Sequence, residues 1–169
     1  MKYSVFLDTV MPFKDKVFRL AKRLLVSTQE AEDATQELYG KLWKNRAALH
    51  QYRNLEAYAM TVTKNYCLDR LKSKQAGHLS LVHSNYQAKE KDLEEQISLR
   101  NSVEIVHRLI DQLAPQQKMV IQLRDIEHYN FEEIAQILGV SQPAVRVALS
   151  RARKKIREQL LNTHRYGLR

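Results

Sequence analysis

Hydrophobic residues recur three or four positions apart over most of the chain, which is the spacing of one face of an α-helix. In the N-terminal part this pattern predicts a first helix that Pro12 breaks or kinks, followed by a second over about 17–25. A third helix is predicted over about 28–45, where Ser27 and Glu30 have the spacing of a capping box.

A fourth helix is predicted from Asn54, its expected N-cap, to about Ser73. The next helical pattern runs over 93–113 and stops at Ala114-Pro115, and a further helix covers about 116–127. No stretch alternates between hydrophobic and polar residues for long enough to predict a strand. The pattern therefore predicts an all-α protein.

Residues 130–157 have the layout of two short helices joined by a glycine turn. Asn130 and Glu133 can form another capping box, and Gly139 offers the left-handed conformation that ends a helix. One face of the second helix is a hydrophobic stripe of Val145, Leu149, Ala152 and Ile156. The opposite face carries Pro143, Val147, Ser150 and Lys154, flanked by Gln142 and Arg146. This is the layout of a helix-turn-helix, whose second helix enters the major groove of DNA.

Charge supports this interpretation of the C-terminal helix. Residues 146–169 carry eight Lys or Arg against one acidic residue, Glu158. The whole chain has a net charge of +9, which favours a polyanionic partner, although charge alone fits RNA, DNA or an acidic membrane. A solvated basic amphipathic helix is the alternative. The agreement of turn, caps, helical phase and charge favours DNA binding.

Other classes of protein lack support in the sequence. No apolar run approaches the roughly 18 residues that span a bilayer, and the N-terminus lacks the apolar core of a signal peptide, so we expect a cytoplasmic protein. The single cysteine, Cys67, excludes an internal disulfide and a Cys-rich zinc site, and is expected to pack within a helix. The six histidines are scattered, without a metal, cofactor or nucleophile motif. Neither a cofactor nor enzymatic activity is predicted.

The chain divides by pattern into two small helical domains joined by a flexible linker. Residues 1–75 form the first predicted domain and residues 92–169 the second. Between them, small and polar residues interrupt any hydrophobic stripe, so 76–91 is predicted to be a linker.

Both predicted domains resemble parts of one family. The segment LAPQQKMVIQLRDIEHYNFEEIAQILGVSQPAVRVALSRARKKI (113–156) resembles region 4 of the sigma-70 family, in particular its extracytoplasmic-function (ECF) group. The segment AEDATQELYGKLWK (31–44) resembles regions 2.1–2.2, and LEAYAMTVTKNYCLDRLKSK (55–74) resembles regions 2.3–2.4. The resemblance covers nearly the whole chain in the right order, without regions 1 and 3, which is the minimal layout of the ECF group. It implies a region 2 helical bundle and a region 4 helix-turn-helix.

The resemblance implies a polymerase-binding surface on the third helix. This surface would dock on the clamp coiled coil of bacterial RNA polymerase through Glu32, Asp33, Gln36, Glu37 and Lys41. A solvated polar face is the alternative. Leu38, Leu42 and Trp43 fit either internal packing or this interface.

The resemblance also implies two DNA-reading surfaces. In segment 44–54, which corresponds to the loop that receives a base flipped out of the −10 element, the candidates are His50, Tyr52 and Arg53; solvent-facing loop residues are the alternative. The next helix supplies Asn65 for a base edge, with further −10 candidates Lys64, Asp69, Arg70, Lys72 and Lys74.

For the −35 element the resemblance implies that Gln142, Arg146, Val147 and Ser150 face the DNA, with Pro143 as a further candidate and Arg151, Arg153 and Lys154 on the backbone. Arg146 stands at a position that contacts either bases or phosphates in the family. Relatives often carry a polar or basic pair where this chain has Val147-Ala148. We therefore predict an apolar contact between Val147 and a thymine methyl group.

The implied function is promoter-specific transcription initiation with core RNA polymerase, through recognition of −35 and −10 elements and DNA melting. The implied partners are the clamp coiled coil and flap of core polymerase, promoter DNA and an anti-sigma factor, and the free protein is expected to be monomeric. A sigma-like mimic that sequesters an anti-sigma factor has no need of the cationic helix. An ordinary helix-turn-helix regulator leaves the first domain unexplained.

Overall fold

The computed structural model describes residues 2–81 and 102–166, and all regular elements within those ranges are helical. The N-terminal half, residues 2–81, contains four α-helices: α1 (Tyr3–Val10), α2 (Lys14–Leu25), α3 (Thr28–Lys44) and α4 (Leu55–Leu81). Short 3₁₀ segments join α1 to α2 and α3 to α4. Pro12 lies in the first of these, so the predicted break at this proline is confirmed.

The C-terminal half, residues 102–166, contains α5 (Ser102–Asp111), α6 (Pro115–Ile121), α7 (Phe131–Leu138) and α8 (Gln142–Tyr166). The single helix predicted over about 116–127 is present over 115–126, but its second part, Gln122–Ile126, winds as a π-helical turn. The backbone N–H of Glu127 bonds to the carbonyl of Gln122, five residues earlier. The predicted helix-turn-helix is confirmed as α7, a left-handed Gly139 at φ 68° and α8.

The two predicted capping boxes differ in outcome. The box at Asn130 is complete, with both reciprocal hydrogen bonds at 2.9 Å to Glu133. At Ser27 the hydroxyl accepts from the Glu30 backbone N–H at 3.3 Å, but the Glu30 carboxylate turns away and accepts a 2.6 Å hydrogen bond from Lys74. The prediction of a full box at Ser27 is therefore wrong, because a charged partner on α4 competes with the backbone for this carboxylate.

Helix α4 continues past its predicted end. Asn54 caps it as expected, accepting from the Ala57 backbone N–H at 2.9 Å, but the helix runs to Leu81 instead of Ser73. Residues 76–81, the start of the predicted linker, are therefore helical. The rest of that linker and the predicted start of the next helix lie outside the described residues.

Buried side chains form one contiguous hydrophobic core that includes both halves of the chain. Helix α2 is central to it, since α2 contacts α3 and α4 on one side and α6 on the other, while α4 also contacts α7. Cys67 is buried in this core as predicted, and burial raises the pKa of its thiol to about 12. Leu38 and Leu42 are buried too, so their contribution is packing.

The end of α2 has an unfavourable backbone conformation. Val26 adopts φ 64°, a left-handed conformation in which a β-branched side chain crowds the backbone. Its N–H closes the helix by bonding to the carbonyl of Lys22 at 2.8 Å, and its side chain remains 48% exposed. The chain therefore stores strain at the junction between α2 and α3.

Replacing Val26 with Asn should raise the free energy of unfolding by about 1 kcal/mol, because Asn tolerates the left-handed conformation far better than Val. Val5, which is 49% exposed on α1, provides a matched control. Val5→Asn places the same residue in a regular helix and should leave stability unchanged or slightly lower. Thermal and urea denaturation measure both; equal stability of the two variants would contradict the strain at Val26.

Candidate nucleic-acid interface

The outward face of α8 carries all eight predicted −35 residues, and each of them is exposed. Ser141 caps this helix by accepting from the Ala144 backbone N–H at 3.3 Å, while Val145, Leu149 and Ala152 are buried against the rest of the C-terminal half. The buried stripe fixes the rotation of the helix. Val147 is consequently 48% exposed on the outer face, as its phase predicts.

Two cations of this face already have partners within the C-terminal half. Arg153 donates through Nε to a carboxylate oxygen of Asp125 at 3.0 Å, which ties α8 to the π-helical turn. Lys154 lies 3.9 Å from Glu158 on the same helix. A phosphate contact by Arg153 would therefore compete with an existing ion pair, whereas Arg151 is exposed without such a bond among the described residues.

Arg146 has a defined position over an aromatic ring. Its guanidinium carbon lies 4.8 Å from the ring centroid of Phe131, the first residue of α7. Arg124 lies 4.7 Å from the same centroid, so two guanidinium groups contact one phenyl ring. Such contacts are favourable because the face of an aromatic ring carries partial negative charge.

In the N-terminal half, a cleft of about 400 Å³ lies between α3 and α4. It is lined by three predicted −10 residues, Asn65, Asp69 and Arg70, and by Lys41 from the predicted polymerase surface. Tyr66 contributes an aromatic wall, with the Lys41 ammonium 5.5 Å from its centroid. This cleft offers a base both hydrogen-bonding groups and a ring face.

An aromatic stack extends the same face of α4 towards its N-terminus. Tyr52 stacks on Tyr58 with ring centroids 4.0 Å apart and an interplanar angle of 23°. Tyr58 precedes Asn65 by seven residues, or two helical turns, so both lie on one side of α4 about 10 Å apart. Tyr52 is exposed at the edge of this stack, as are its neighbours His50 and Arg53.

The other predicted −10 cations, Lys64, Lys72 and Lys74, do not line the cleft that contains Asn65 and Arg70. Arg70 and Lys74 face Glu30 of α3, at 3.6 and 2.6 Å, and the hydrogen bond from Lys74, assisted by both positive charges, lowers the pKa of Glu30. Lys64 is half-buried, and desolvation lowers its pKa. Lys72 lines a different cavity, between α2, α4 and the start of α6.

The predicted polymerase residues form one exposed polar face of α3: Glu32, Asp33, Gln36, Glu37 and Lys41. Glu37 and Lys41 make an i,i+4 ion pair at 3.5 Å. The opposite face of α3 is buried, and Trp43 packs edge-on against Phe6 of α1 with centroids 5.1 Å apart. The polar face is therefore free to bind a partner.

Sequence reasoning missed three aromatic residues of these surfaces: Tyr58, Tyr66 and Phe131. The spacing of Tyr58 and Phe131 on their helices indicated packing residues, and all three rings are partly packed against the core. The fold decides which side chains lie over these rings: Tyr52 over Tyr58, Lys41 over Tyr66, and Arg124 and Arg146 over Phe131. Tyr66 directly follows Asn65, a predicted DNA-reading residue. This adjacency in the sequence is the signal that could have identified Tyr66 as part of the surface.

Comparisons with known proteins cover both halves of the chain. A family model described as Sigma-70 region 2 matches residues 9–77, and one described as Sigma-70, region 4 matches residues 104–156. The chain belongs to the sigma-70 family. Within the family it belongs to the ECF group, as the names of its relatives indicate.

Two relatives illustrate the similarity. The ECF RNA polymerase sigma factor SigW of Bacillus subtilis is 27% identical over 168 residues, which cover 93% of this chain and 89% of SigW. The ECF RNA polymerase sigma factor SigE of Mycolicibacterium smegmatis is 27% identical over 156 residues, with 90% of this chain matched to 60% of SigE. The match to SigW therefore extends over nearly the full length of both chains.

Solved structures share the fold. The sigma factor RpoE from Bartonella quintana, in complex with the anti-sigma factor NepR, has a TM-score of 0.74 at 19% identity, covering 92% of this chain and 96% of RpoE. CnrH, in complex with the cytosolic domain of CnrY, has a TM-score of 0.66 at 21% identity and covers 96% of this chain and 90% of CnrH. In the described ranges, no helix of this chain is long and apolar enough to cross a membrane.

The contact between Val147 and a thymine methyl group stays a prediction. Replacing the contacted thymine of the −35 element with uracil should weaken binding about fourfold, the value of one buried methyl group. Binding should be measured with uracil at each thymine position in turn. In Val147→Ala the sensitivity to uracil should largely disappear, and unchanged affinity of the wild-type chain at every position would contradict the contact.

Proposed function

We propose that this chain binds bacterial core RNA polymerase and directs it to promoters whose −10 and −35 elements are read by α4 and α8. The observation that carries the proposal is the coexistence of two exposed reading faces and the polar face of α3 in one ECF chain. Catalysis belongs to the polymerase, so the chain itself acts as a specificity subunit in the cytoplasm and not as an enzyme.

The division of labour follows the two halves of the chain. We assign polymerase binding, −10 recognition and melting to a domain that begins at residue 1 and includes α4, and −35 recognition to the domain within 92–169. The polar face of α3 would dock on the clamp coiled coil through charge-assisted hydrogen bonds, with the Asp33 carboxylate as an acceptor. An anti-sigma factor is the proposed regulatory partner, since RpoE, a sigma factor of the same fold, is in complex with the anti-sigma factor NepR.

The −10 surface suits strand opening because it combines rings with hydrogen-bonding groups. Unstacking a base costs a few kcal/mol, which must be recovered on the protein. The exposed edge of the Tyr52–Tyr58 stack can replace lost base stacking, and base–aromatic stacking contributes about 1–3 kcal/mol per base. The cleft beside Tyr66 presents Asn65 for contact with a base edge. Together these groups can offset the cost of one or two unstacked bases.

At the −35 element, α8 would lie in the major groove with its N-terminal turns against the bases. Arg146 can donate two parallel hydrogen bonds to a guanine, while Gln142 can pair with an adenine. Arg151 and Lys154 would contact phosphates, which fix the register of the helix but carry no sequence information.

In vitro transcription with bacterial core polymerase and a genomic promoter library tests this function. Wild-type protein should produce promoter-specific transcripts that reveal both DNA motifs. Asp33→Asn should weaken core association about 10- to 100-fold, the cost of losing a charged hydrogen bond, without weakening binding to a −35 duplex. Asp8→Asn is the matched control, because Asp8 is exposed on α1 outside the three proposed surfaces.

Two outcomes would contradict the proposal. If the wild-type chain binds DNA but not core polymerase, it is a helix-turn-helix regulator. If it binds an anti-sigma factor but neither core polymerase nor promoter DNA, it is a sigma-like mimic.

A further inference from the structure

The N-terminal and C-terminal halves are joined by a set of hydrogen bonds along one side of α2. Arg19 donates to both carboxylate oxygens of Glu127, at 2.7 Å each. The Glu127 side chain is only 1% exposed, although Arg19 itself remains 47% exposed. Hydrogen bonding to this carboxylate raises the pKa of Arg19. Closure of the two halves therefore buries a carboxylate and supplies its charged partner.

A second arginine extends the same network by one helical turn. Arg23 donates through Nε to Gln122 at 3.0 Å and through Nη1 to Asp111 at 2.7 Å. The amide of Gln122 in turn donates to Glu127 at 2.9 Å. Gln122 and Glu127 are brought together by the π-helical turn, which places both side chains on the side facing α2.

A separate contact closes the other end of the interface. Glu56, in the first turn of α4, accepts a 2.6 Å hydrogen bond from Lys16 of α2 and another from the Tyr129 hydroxyl. Lys16 also lies 5.0 Å from the centroid of the Tyr129 ring. Since Tyr129 belongs to the C-terminal half, two independent polar clusters link the halves. The hydrophobic core continues between them.

This closed arrangement cannot read a whole promoter. The −35 and −10 elements are named for their positions, which lie about 25 base pairs apart. This separation corresponds to roughly 85 Å of duplex at 34 Å per turn. A compact chain of 169 residues has a radius of gyration of about 15 Å and is therefore only about 40 Å across. The halves must separate before α4 and α8 can contact their elements together.

We propose that the face of α2 formed by Lys16, Arg19 and Arg23 is an intramolecular docking surface for the C-terminal half, and that it holds the free protein in a closed, autoinhibited state. Because a buried ion pair gains little net free energy over its hydrated groups, the contact can be specific and still open when polymerase binds. The docking of the two halves is inferred from the contacts alone. The inference that docking is inhibitory rests on the proposed function.

Arg19→Glu tests the closure, since it places a carboxylate opposite Glu127. Small-angle scattering of the full chain should show a radius of gyration near 15 Å for wild type and an increase of at least about a quarter for the variant. Lys14→Glu is the matched control: the same charge change on α2, at an exposed lysine that makes no hydrogen bond or ion pair with the described C-terminal half. Circular dichroism should show unchanged helicity in both variants.

An equal radius of gyration for Arg19→Glu and wild type would overturn the proposal, as would equal expansion of the Lys14→Glu control. Should Arg19→Glu lose helicity, Arg19→Ala replaces it, because it removes both hydrogen bonds to the buried Glu127 carboxylate without adding a charge. Expansion of this variant would support closure and an unchanged radius would overturn it.

In vitro transcription distinguishes the inhibitory effect of the closed state from the docking of the two halves. If only a tenth to a third of the wild-type chain is open, Arg19→Glu should reach half-saturation at about a three- to tenfold lower concentration than wild type. An expanded variant with unchanged half-saturation would overturn the inhibitory effect. If neither the wild type nor any variant binds core polymerase, the proposed function is wrong. The scattering result then still tests whether the two halves are docked in the free protein.

A different observation carries a second inference, about Arg146. The Arg146 guanidinium carbon lies 4.8 Å from the centroid of the Phe131 ring, and this contact restricts where the charged group can lie in the free protein. Phe131 makes a second contact of this kind, because the Arg124 guanidinium carbon lies 4.7 Å from the same centroid and Arg124 donates to the carbonyl of Tyr129 at 2.8 Å. The complete capping box at Asn130 fixes the backbone next to Phe131.

We infer that Phe131 is a positioning residue that orients Arg146 before DNA binds. Orientation in the free protein reduces the entropy lost on binding, so its removal should weaken −35 binding about two- to fivefold. This inference also rests on the proposed function, but it concerns only the affinity of the chain for a −35 duplex.

A double-mutant cycle on the full chain tests it. Phe131→Leu should weaken duplex binding, Phe131→Tyr should restore it because the ring face returns, and Phe131→Leu should have no further effect in an Arg146→Ala background. Equal effects of Phe131→Leu with and without Arg146, or equal loss in the Leu and Tyr variants, would overturn the inference. A wild-type chain that binds no −35 duplex would defeat the proposed −35 function instead.

Discussion

The arrangement of the two halves depends on one buried carboxylate. Glu127 is almost completely removed from solvent and is compensated by a bidentate Arg19 from the other half and by Gln122 from its own. Burial of a carboxylate without such partners would cost several kcal/mol, so its charge can be buried here only when α2 is docked. The π-helical turn makes this arrangement possible, because it brings the side chains of Gln122 and Glu127 to the side that faces α2.

The same packing leaves the polar face of α3 and the outer face of α8 outside the interface, whereas Lys72 of α4 lines a cavity that reaches the start of α6. Helices α3 and α8 each direct one face to the core and the other to solvent, and α4 shares its buried surface with α2 and α7. The polar face of α3 and the outer face of α8 therefore stay accessible in the closed chain. In the proposed closed state, the distance between the two candidate reading helices is restricted while the outer face of α8 stays uncovered, so the constraint would act on geometry.

Much of the fold followed from local patterns. The proline break, the caps at Asn54 and Asn130, the glycine turn and the phase of α8 each depend on residues within a few positions of one another, and all were predictable. The π-helical turn was not, because Met119, Val120, Ile121, Gln122 and Leu123 are all buried and leave no helical periodicity to interpret. The end of α4 was misplaced because Gly77 and Ser80 weaken a helix without ending it.

The sequence by itself determined the identity and order of the helices, the all-α class and the outward face of each candidate reading helix, since these depend on spacing and charge within single segments. It also carried enough resemblance to indicate the sigma-70 family before any contact was known. Only the tertiary structure decided which side chains lie over the aromatic rings, why the Glu30 carboxylate bonds to Lys74 instead of to the backbone at Ser27, and how α2 joins the two halves. Those features arise from pairs of residues far apart in the chain, whose meeting is set by packing and by the need of buried charges for partners.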